Sequence, residues 1–200
     1  MKAEKGDFGY IKAQKKKRTL ITLGLFAIPL VIFLTGLHET GTRLNMFTFV
    51  AIMGCLPASR SAVGMIMMML QKPVDPEVYR KVEERAGDLV RAYELTISAY
   101  EKNTPLDSLV ICGYHVAAYC SRPGTDTAFA EKHIKEILKG NGFRADVKIF
   151  QDAKPYLDRV SYLAGKREEL EKDIPYTPIE AYPDLSRSEL VKHTILAISL

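Results

Sequence analysis

Residues 20 to 37, LITLGLFAIPLVIFLTGL, contain no charged side chain. An uncharged run of this length sits at the lower end of what a helix needs to cross a hydrocarbon core of about 30 Å. Pro29 falls in its middle, which a membrane helix tolerates because neighbouring groups re-satisfy the freed backbone. Thr19 and Thr35 can place their hydroxyls on backbone carbonyls. The residues that follow, His38 to Arg43, show no small-x-small cleavage signature, so the run reads as a retained spanning helix rather than a signal peptide.

A second apolar segment, Met46 to Leu70, is also long enough to span, but carries Leu56-Pro57-Ala58-Ser59-Arg60-Ser61 at its centre. An arginine at mid-bilayer costs about 2.5 to 3.5 kcal/mol on insertion scales. Two arrangements answer that cost: a kinked spanning helix, or a helix broken at Pro57 with Arg60 snorkelling to the interface. Arg60 is therefore a candidate contact to a lipid headgroup, an acidic partner or a second copy of the chain.

Charge is distributed unevenly. The chain carries +4 overall, and seven bases against Glu4 and Asp7 place +5 before residue 20. From Lys72 onward, 19 bases oppose 21 acids. The basic character belongs to the N-terminal end, so a nucleic-acid-binding domain, which carries its own positive footprint, is not expected. Lys15, Lys16, Lys17 and Arg18 abut the first span and read as a topology signal and a membrane or partner contact. The short connection offers only Arg43, whereas Lys72, Arg80, Lys81 and Arg85 follow the second span. The expectation is a bacterial plasma-membrane protein, multi-pass, with both termini cytoplasmic and the lipid bilayer as its first partner. A membrane-protein partner or a homo-oligomer is open. Cys55, Cys112 and Cys120 do not form a disulfide framework and fit a reducing compartment.

Three stretches carry a family likeness: Tyr10-Ile11-Lys12 with the cluster after it, Gly41-Thr42-Arg43-Leu44-Asn45 leading into Met46-Phe47-Thr48, and Leu56 to Ser61. They resemble an uncharacterised family of two-span membrane proteins from Gram-positive (Firmicutes) bacteria. The likeness covers mainly the first 75 residues and implies a bacterial plasma membrane, with no activity attached.

The expected organisation is a basic tail (1–19), a two-helix hairpin (20–71) and a small cytoplasmic α/β domain (72–200) of order α-β-α-β-α. Asp75 and Pro76 suit an N-cap and first helical position, and Val78, Val82, Leu89, Val90, Tyr93 and Ile97 at helical spacing extend that helix to about Glu101. Asn103-Thr104-Pro105 reads as a breaker. Ser108 to Cys120 reads as a buried strand, or two if Gly113 is a turn. Thr125 or Asp126 caps a helix running to Lys139, residues 145 to 151 alternate as a strand, and Pro155 opens a helix to about Lys172. A right-handed crossover would make the two main strands parallel. A loop with Pro175, Pro178 and Pro183 precedes a helix whose Ser186 and Glu189 have capping-box spacing, and which is expected to dock on the domain.

Chemistry is sparse. Cys112, His115 and Cys120 invite a metal reading, but residues three apart on a strand point to opposite faces and a fourth ligand is lacking, so no metal is assigned. The strand-to-helix passage gives the candidate ligand residues His115, Arg122, Thr125 and Asp126, where helix amides with Arg122 could hold an anion. The segment matches neither the dinucleotide nor the phosphate-loop glycine pattern. The element order also has a loose likeness to restriction-endonuclease-like cores, which need an acidic residue and a Glu-x-Lys on adjacent strands for Mg²⁺. Asp107 stands alone, so only a degenerate relative is in view. The expectation is a membrane-tethered binding or scaffold module, with a membrane-associated enzyme or sensor for a phosphorylated substrate as the alternative and the cofactor unknown.

Overall fold

The structure, a computed structural model, describes residues 4–99, 102–172, 174–176 and 182–199. It forms two compact units: Ile11–Lys72, and the residues before it joined to those from Pro73 onward.

The first unit is a helical hairpin of α1 (Tyr10–Thr40) and α2 (Met46–Leu70). Both helices are long and apolar enough to cross a membrane, and only 17% and 11% of their apolar windows are buried, unlike the core helices of a water-soluble protein. Ile11, Thr22, Pro29 and Gly36 are the buried positions of α1, the last three one every seven residues, and Ala51, Ala58 and Met68 are those of α2. Small residues on this seam let the backbones approach closely: a Cβ on Gly36 would lie 2.3 Å from the Phe47 Cβ. Asn45 closes the turn, accepting from the Thr48 N–H at 2.9 Å and donating to the Gly36 carbonyl at 3.0 Å. The Thr35 hydroxyl donates to the Val31 carbonyl, as expected.

α2 runs unbroken through Pro57. The basic residues are not a free tail either. Helix-forming Lys, Ala and Gln carry α1 back to Tyr10, so Lys15 to Arg18 lie within the helix. The residues before it pack on the second unit, with Phe8 stacked on Tyr79 at 4.0 Å.

The second unit holds α3 (Pro76–Ala86), β1 (Val90–Ala99), β2 (Lys102–Cys112), β3 (His115–Tyr119), α4 (Thr127–Gly140), β4 (Asp146–Phe150), α5 (Ala153–Gly165), α6 (Arg167–Glu171) and α7 (Arg187–Ala197). The sheet order is β1-β2-β3-β4, antiparallel in the first two pairs and parallel between β3 and β4. Ile134 and Leu138 of α4 and Val191 and Ile195 of α7 cover one face with Leu109, Ile111 and Val147. Val82 of α3 and Tyr156, Val160 and Leu163 of α5 cover the other with Val110 and Cys112. α7 therefore docks on the domain behind its expected capping box.

The order α-β-α-β-α needs correction at its first helix. α3 stops at Ala86 because Gly87, at φ +51°, turns the chain out of the helix. Residues 90–99 instead form β1. Tyr93 and Ile97 fit a helical repeat, yet Leu95 and Ile97 alternate on one face of a sheet, and the tertiary partners favour the strand. Asn103-Thr104-Pro105 lies inside β2. Pro105 is tolerated because β3 pairs only with Ser108 to Cys112, leaving one neighbour at that point. Gly113, at φ +56°, opens the two-residue turn joining β2 to β3. The expected helix through Lys172 is divided at Lys166 into α5 and α6. Pro178 lies outside the described residues.

β1 is an edge strand whose free side is covered by both ends of the chain. The Tyr93 N–H donates to the Gly6 carbonyl at 2.7 Å and the Ser98 N–H to the Ile198 carbonyl at 3.1 Å. At the opposite edge, the Ile149 N–H donates to the Glu131 carboxylate at 2.7 Å. Such cover blunts edge-to-edge pairing.

Candidate functional site

Two concavities of the domain adjoin one another where four loops and short elements meet. One, of about 860 Å³, is lined by Gly87, Asp88, Gly165 and Lys166 and by the start of α6. The other, about 180 Å³, lies between Gly113, Ile174, Tyr176, Ser186 and Arg187. They share Asp88, Arg167 and Glu171. Gly87 and Gly113 build this groove because each reverses the chain at positive φ, and a Cβ at Gly113 would meet the Leu170 carbonyl oxygen at 2.6 Å.

Its charged groups are largely engaged. The Arg167 Nε donates to the Glu171 Oε2 at 3.1 Å, and its Nη1 is 3.7 Å from the Asp88 Oδ2. Arg187 donates to the Gly113 and Arg144 carbonyls and lies over the Tyr114 ring, 4.7 Å from its centroid. Burial lowers its pKa. The Ser186 hydroxyl donates to the Glu189 carboxylate at 2.7 Å within the capping box, so both groups serve the start of α7. Together these groups present charge and hydrogen-bonding capacity to the groove.

The residues singled out from the sequence do not converge. His115 opens β3, whereas Arg122, Thr125 and Asp126 follow its other end. The His115 Nδ1 is 3.3 Å from the Arg159 Nη2. Burial, then the Arg159 charge, lowers the His115 pKa, keeping the ring neutral as an acceptor. Arg122 is exposed. Thr125 donates to the Arg122 carbonyl at 2.9 Å. Asp126 caps α4, accepting from the Phe129 N–H at 3.1 Å and from Lys102 at 2.9 Å. Those two hydrogen bonds, Lys102 first, hold its carboxyl below the usual range. The carboxylate thus occupies the helix N-terminus where an anion was expected.

Cys112 faces α5, its thiol 3.7 Å from the Leu163 carbonyl, while Cys120 packs in the opposite core beside α4. Burial, reinforced by the Glu171 charge, pushes the Cys112 thiol up to about 11. Among the described residues, no group of three His, Cys, Asp or Glu side chains is placed to hold a metal ion. The Asp107 carboxylate accepts from the Ser121 N–H at 2.5 Å, and β3 carries no Glu-x-Lys. The groove residues Asp88, Arg167, Glu171 and Arg187 were not legible beforehand, because they are scattered along the chain with no shared motif.

On the hairpin, the contacts step antiparallel along the two helices. The Lys15 Nζ donates to the Met69 carbonyl at 3.1 Å, the Arg18 Nη1 to the Gly64 carbonyl at 3.2 Å, and the Thr22 and Ser61 hydroxyls lie 2.8 Å apart. Arg60 is exposed beside Ser61, about 6 Å along the axis from Gly64 at 1.5 Å per residue. It thus sits about one turn inward of the carbonyl that Arg18 contacts. The chain matches no known protein-family model, no curated protein and no solved structure.

Proposed function

We propose that this chain is a membrane-tethered, non-catalytic binding module: the hairpin anchors the domain at the inner face of a bacterial plasma membrane, where the domain recognises a protein or small polar ligand. The observation that carries the reading is the hairpin surface. Leu20, Leu23, Ile28 and Val31 of α1 and Phe49, Ile52, Leu56 and Met67 of α2 are all exposed, and a bilayer is the solvent that such a surface needs. The excess of Lys and Arg beside the outer ends of the two helices orients both termini to the cytoplasm. The likeness of the first 75 residues to a two-span Gram-positive family is in line with this placement. The groove around Arg167 and Arg187 is where we place the ligand.

A second reading is a degenerate restriction-endonuclease-like domain. The mixed sheet supports it, three antiparallel strands continued across a helix by a parallel one, with Asp107 on the second strand. The missing Glu-x-Lys would then mark a core kept for binding.

Carbonate extraction of membranes from cells making the full chain tests the tether. Retention in the pellet, with a tag at either terminus shielded from protease in intact cells, is expected; release at high pH refutes the anchoring. Pulldown from those membranes then tests the module: a partner at defined stoichiometry, lost on Arg187→Ala, is expected.

A further inference from the structure

We infer that the basic end of the hairpin is a binding site for anionic phospholipids, in which exposed lysines and Arg60 hold the phosphodiester while apolar side chains of α2 receive the acyl chain. The inference rests on the membrane-anchored reading and adds the class of lipid recognised.

Between Ile11 and Lys72 the sequence carries one acid, Glu39, in the last turn of α1, against eight bases. Lys12, Lys15, Lys16, Lys17 and Arg18 gather at the other end of that helix. Lys15 and Arg18 are turned onto carbonyls of α2 at Met69 and Gly64, which fixes this end of α1 beside the last turns of α2. Lys16, Lys17 and Arg60 are exposed and form no ion pair among the described residues. The counter-charge for them has to come from outside the hairpin.

The same end of the hairpin is also apolar. Arg60, Val63, Met67 and Leu70 recur at a 3-4-3 spacing, which places them on one face of α2, and the last three are 61%, 55% and 70% exposed. A cation at the inner end of an exposed apolar stripe, with lysines about 10 Å outward by the hairpin register, pairs with a molecule that joins a phosphate to a hydrocarbon chain when Arg60 extends outward along the stripe. An acidic peptide would satisfy the lysines alone and make no use of Val63, Met67 and Leu70. An anionic phospholipid satisfies both, and gives Arg60 a partner within the length of its own side chain.

The test uses the full chain in a mild detergent, titrated with phosphatidylglycerol or phosphatidylcholine, reading the thermal midpoint and the lipids retained in native mass spectrometry. Phosphatidylglycerol is expected to raise the midpoint and remain bound, while phosphatidylcholine does neither. Each cation neutralised in Lys16→Gln, Lys17→Gln and Arg60→Gln should weaken retention by about five-fold. Lys16→Arg with Lys17→Arg should preserve it, which separates lost charge from lost folding. Equal effects of the two lipids, retention unchanged in the triple variant, or the same shift from inorganic phosphate alone would each overturn the inference. A chain that resists carbonate extraction yet shows no preference for phosphatidylglycerol loses the lipid site and keeps the anchor. A chain released by carbonate loses the anchor itself.

Discussion

Glu94 and Asp107 stand between two matched pairs of the β1–β2 ladder: Tyr93 opposes Ser108 and Leu95 opposes Leu106. Glu94 is at φ +55°, the one described non-glycine residue in the left-handed region. The irregularity resets the alternation of both strands. Leu109 and Ile111 face α4 and α7 on one side of it, and on the other side Leu106 does, where strict alternation would put residue 107. Each carboxylate then accepts a backbone N–H from a connecting segment, Val74 for Glu94 at 3.3 Å and Ser121 for Asp107.

Glu94→Ala is expected to destabilise the domain by about 1–3 kcal/mol, because a buried N–H loses its acceptor while the left-handed cost remains. Glu94→Gly should be milder by about 1 kcal/mol, since glycine adopts this φ freely. Urea unfolding of the two variants checks the order; Glu94→Ala matching Glu94→Gly would show that the backbone conformation is unimportant.

Removing the residues before the hairpin should weaken the domain although they lie far from it in sequence. They supply the Gly6 carbonyl to Tyr93 and the Phe8 ring to Tyr79. Phe8→Ala is expected to cost about 1 kcal/mol, from a stacked pair and partial burial. Faster hydrogen exchange at the Tyr93 amide in a chain starting at residue 10 would show the uncovered edge, and unchanged protection would refute it.

Arg91 grips Glu83 with Nε–Oε1 at 2.6 Å and Nη2–Oε2 at 2.8 Å, and the Tyr93 hydroxyl donates to the same carboxylate at 2.7 Å. Burial by itself would raise the Glu83 pKa, but the hydrogen bonds from Arg91 and Tyr93, with the Arg91 charge, outweigh it and leave the pKa lowered. A carboxyl lowered in the folded state stabilises fully above its ordinary range, and that stabilisation is lost as pH falls through the folded pKa. Glu83→Gln should therefore cost about 1–2 kcal/mol at pH 7 and progressively less towards pH 3. Denaturation curves of both proteins across that range decide it; a constant difference would exclude the titration.

Gly113→Ala is expected to be among the most damaging single changes, at about 2–4 kcal/mol. It adds the cost of a positive φ to a clash with the rigid Leu170 carbonyl. A melting temperature within a degree or two of the parent would contradict the turn described here.

Cys112 and Cys120 should resist thiol reagents in the folded domain at pH 8. Both are fully buried, and Cys112, raised to about 11, holds almost no thiolate there. A Cys55→Ser chain should take up a disulfide reagent only after denaturant is added; rapid labelling of the native chain would sink this.

The two apolar helices, the caps at Asp75, Asp126 and Ser186, the α4 helix and the β4 strand follow from local pattern, and the parallel pairing of β3 with β4 from the handedness of a strand–helix–strand crossover. Periodicity, turn residues and caps act within a few positions, so one sequence displays them. The helix assigned through residue 101 did not survive, since Val90, Tyr93 and Ile97 satisfy a helical repeat while Gly87 and the alternation at Leu95 and Ile97 point to a strand. Only pairing with β2 selects between the two. Tertiary structure likewise decided that His115 and Arg122 lie at opposite ends of a strand, that Asp126 fills its own helix terminus, and that Arg60 sits about one turn from the carbonyl that Arg18 contacts. These are distances between residues remote in the chain, fixed by packing across the sheet and the hairpin seam.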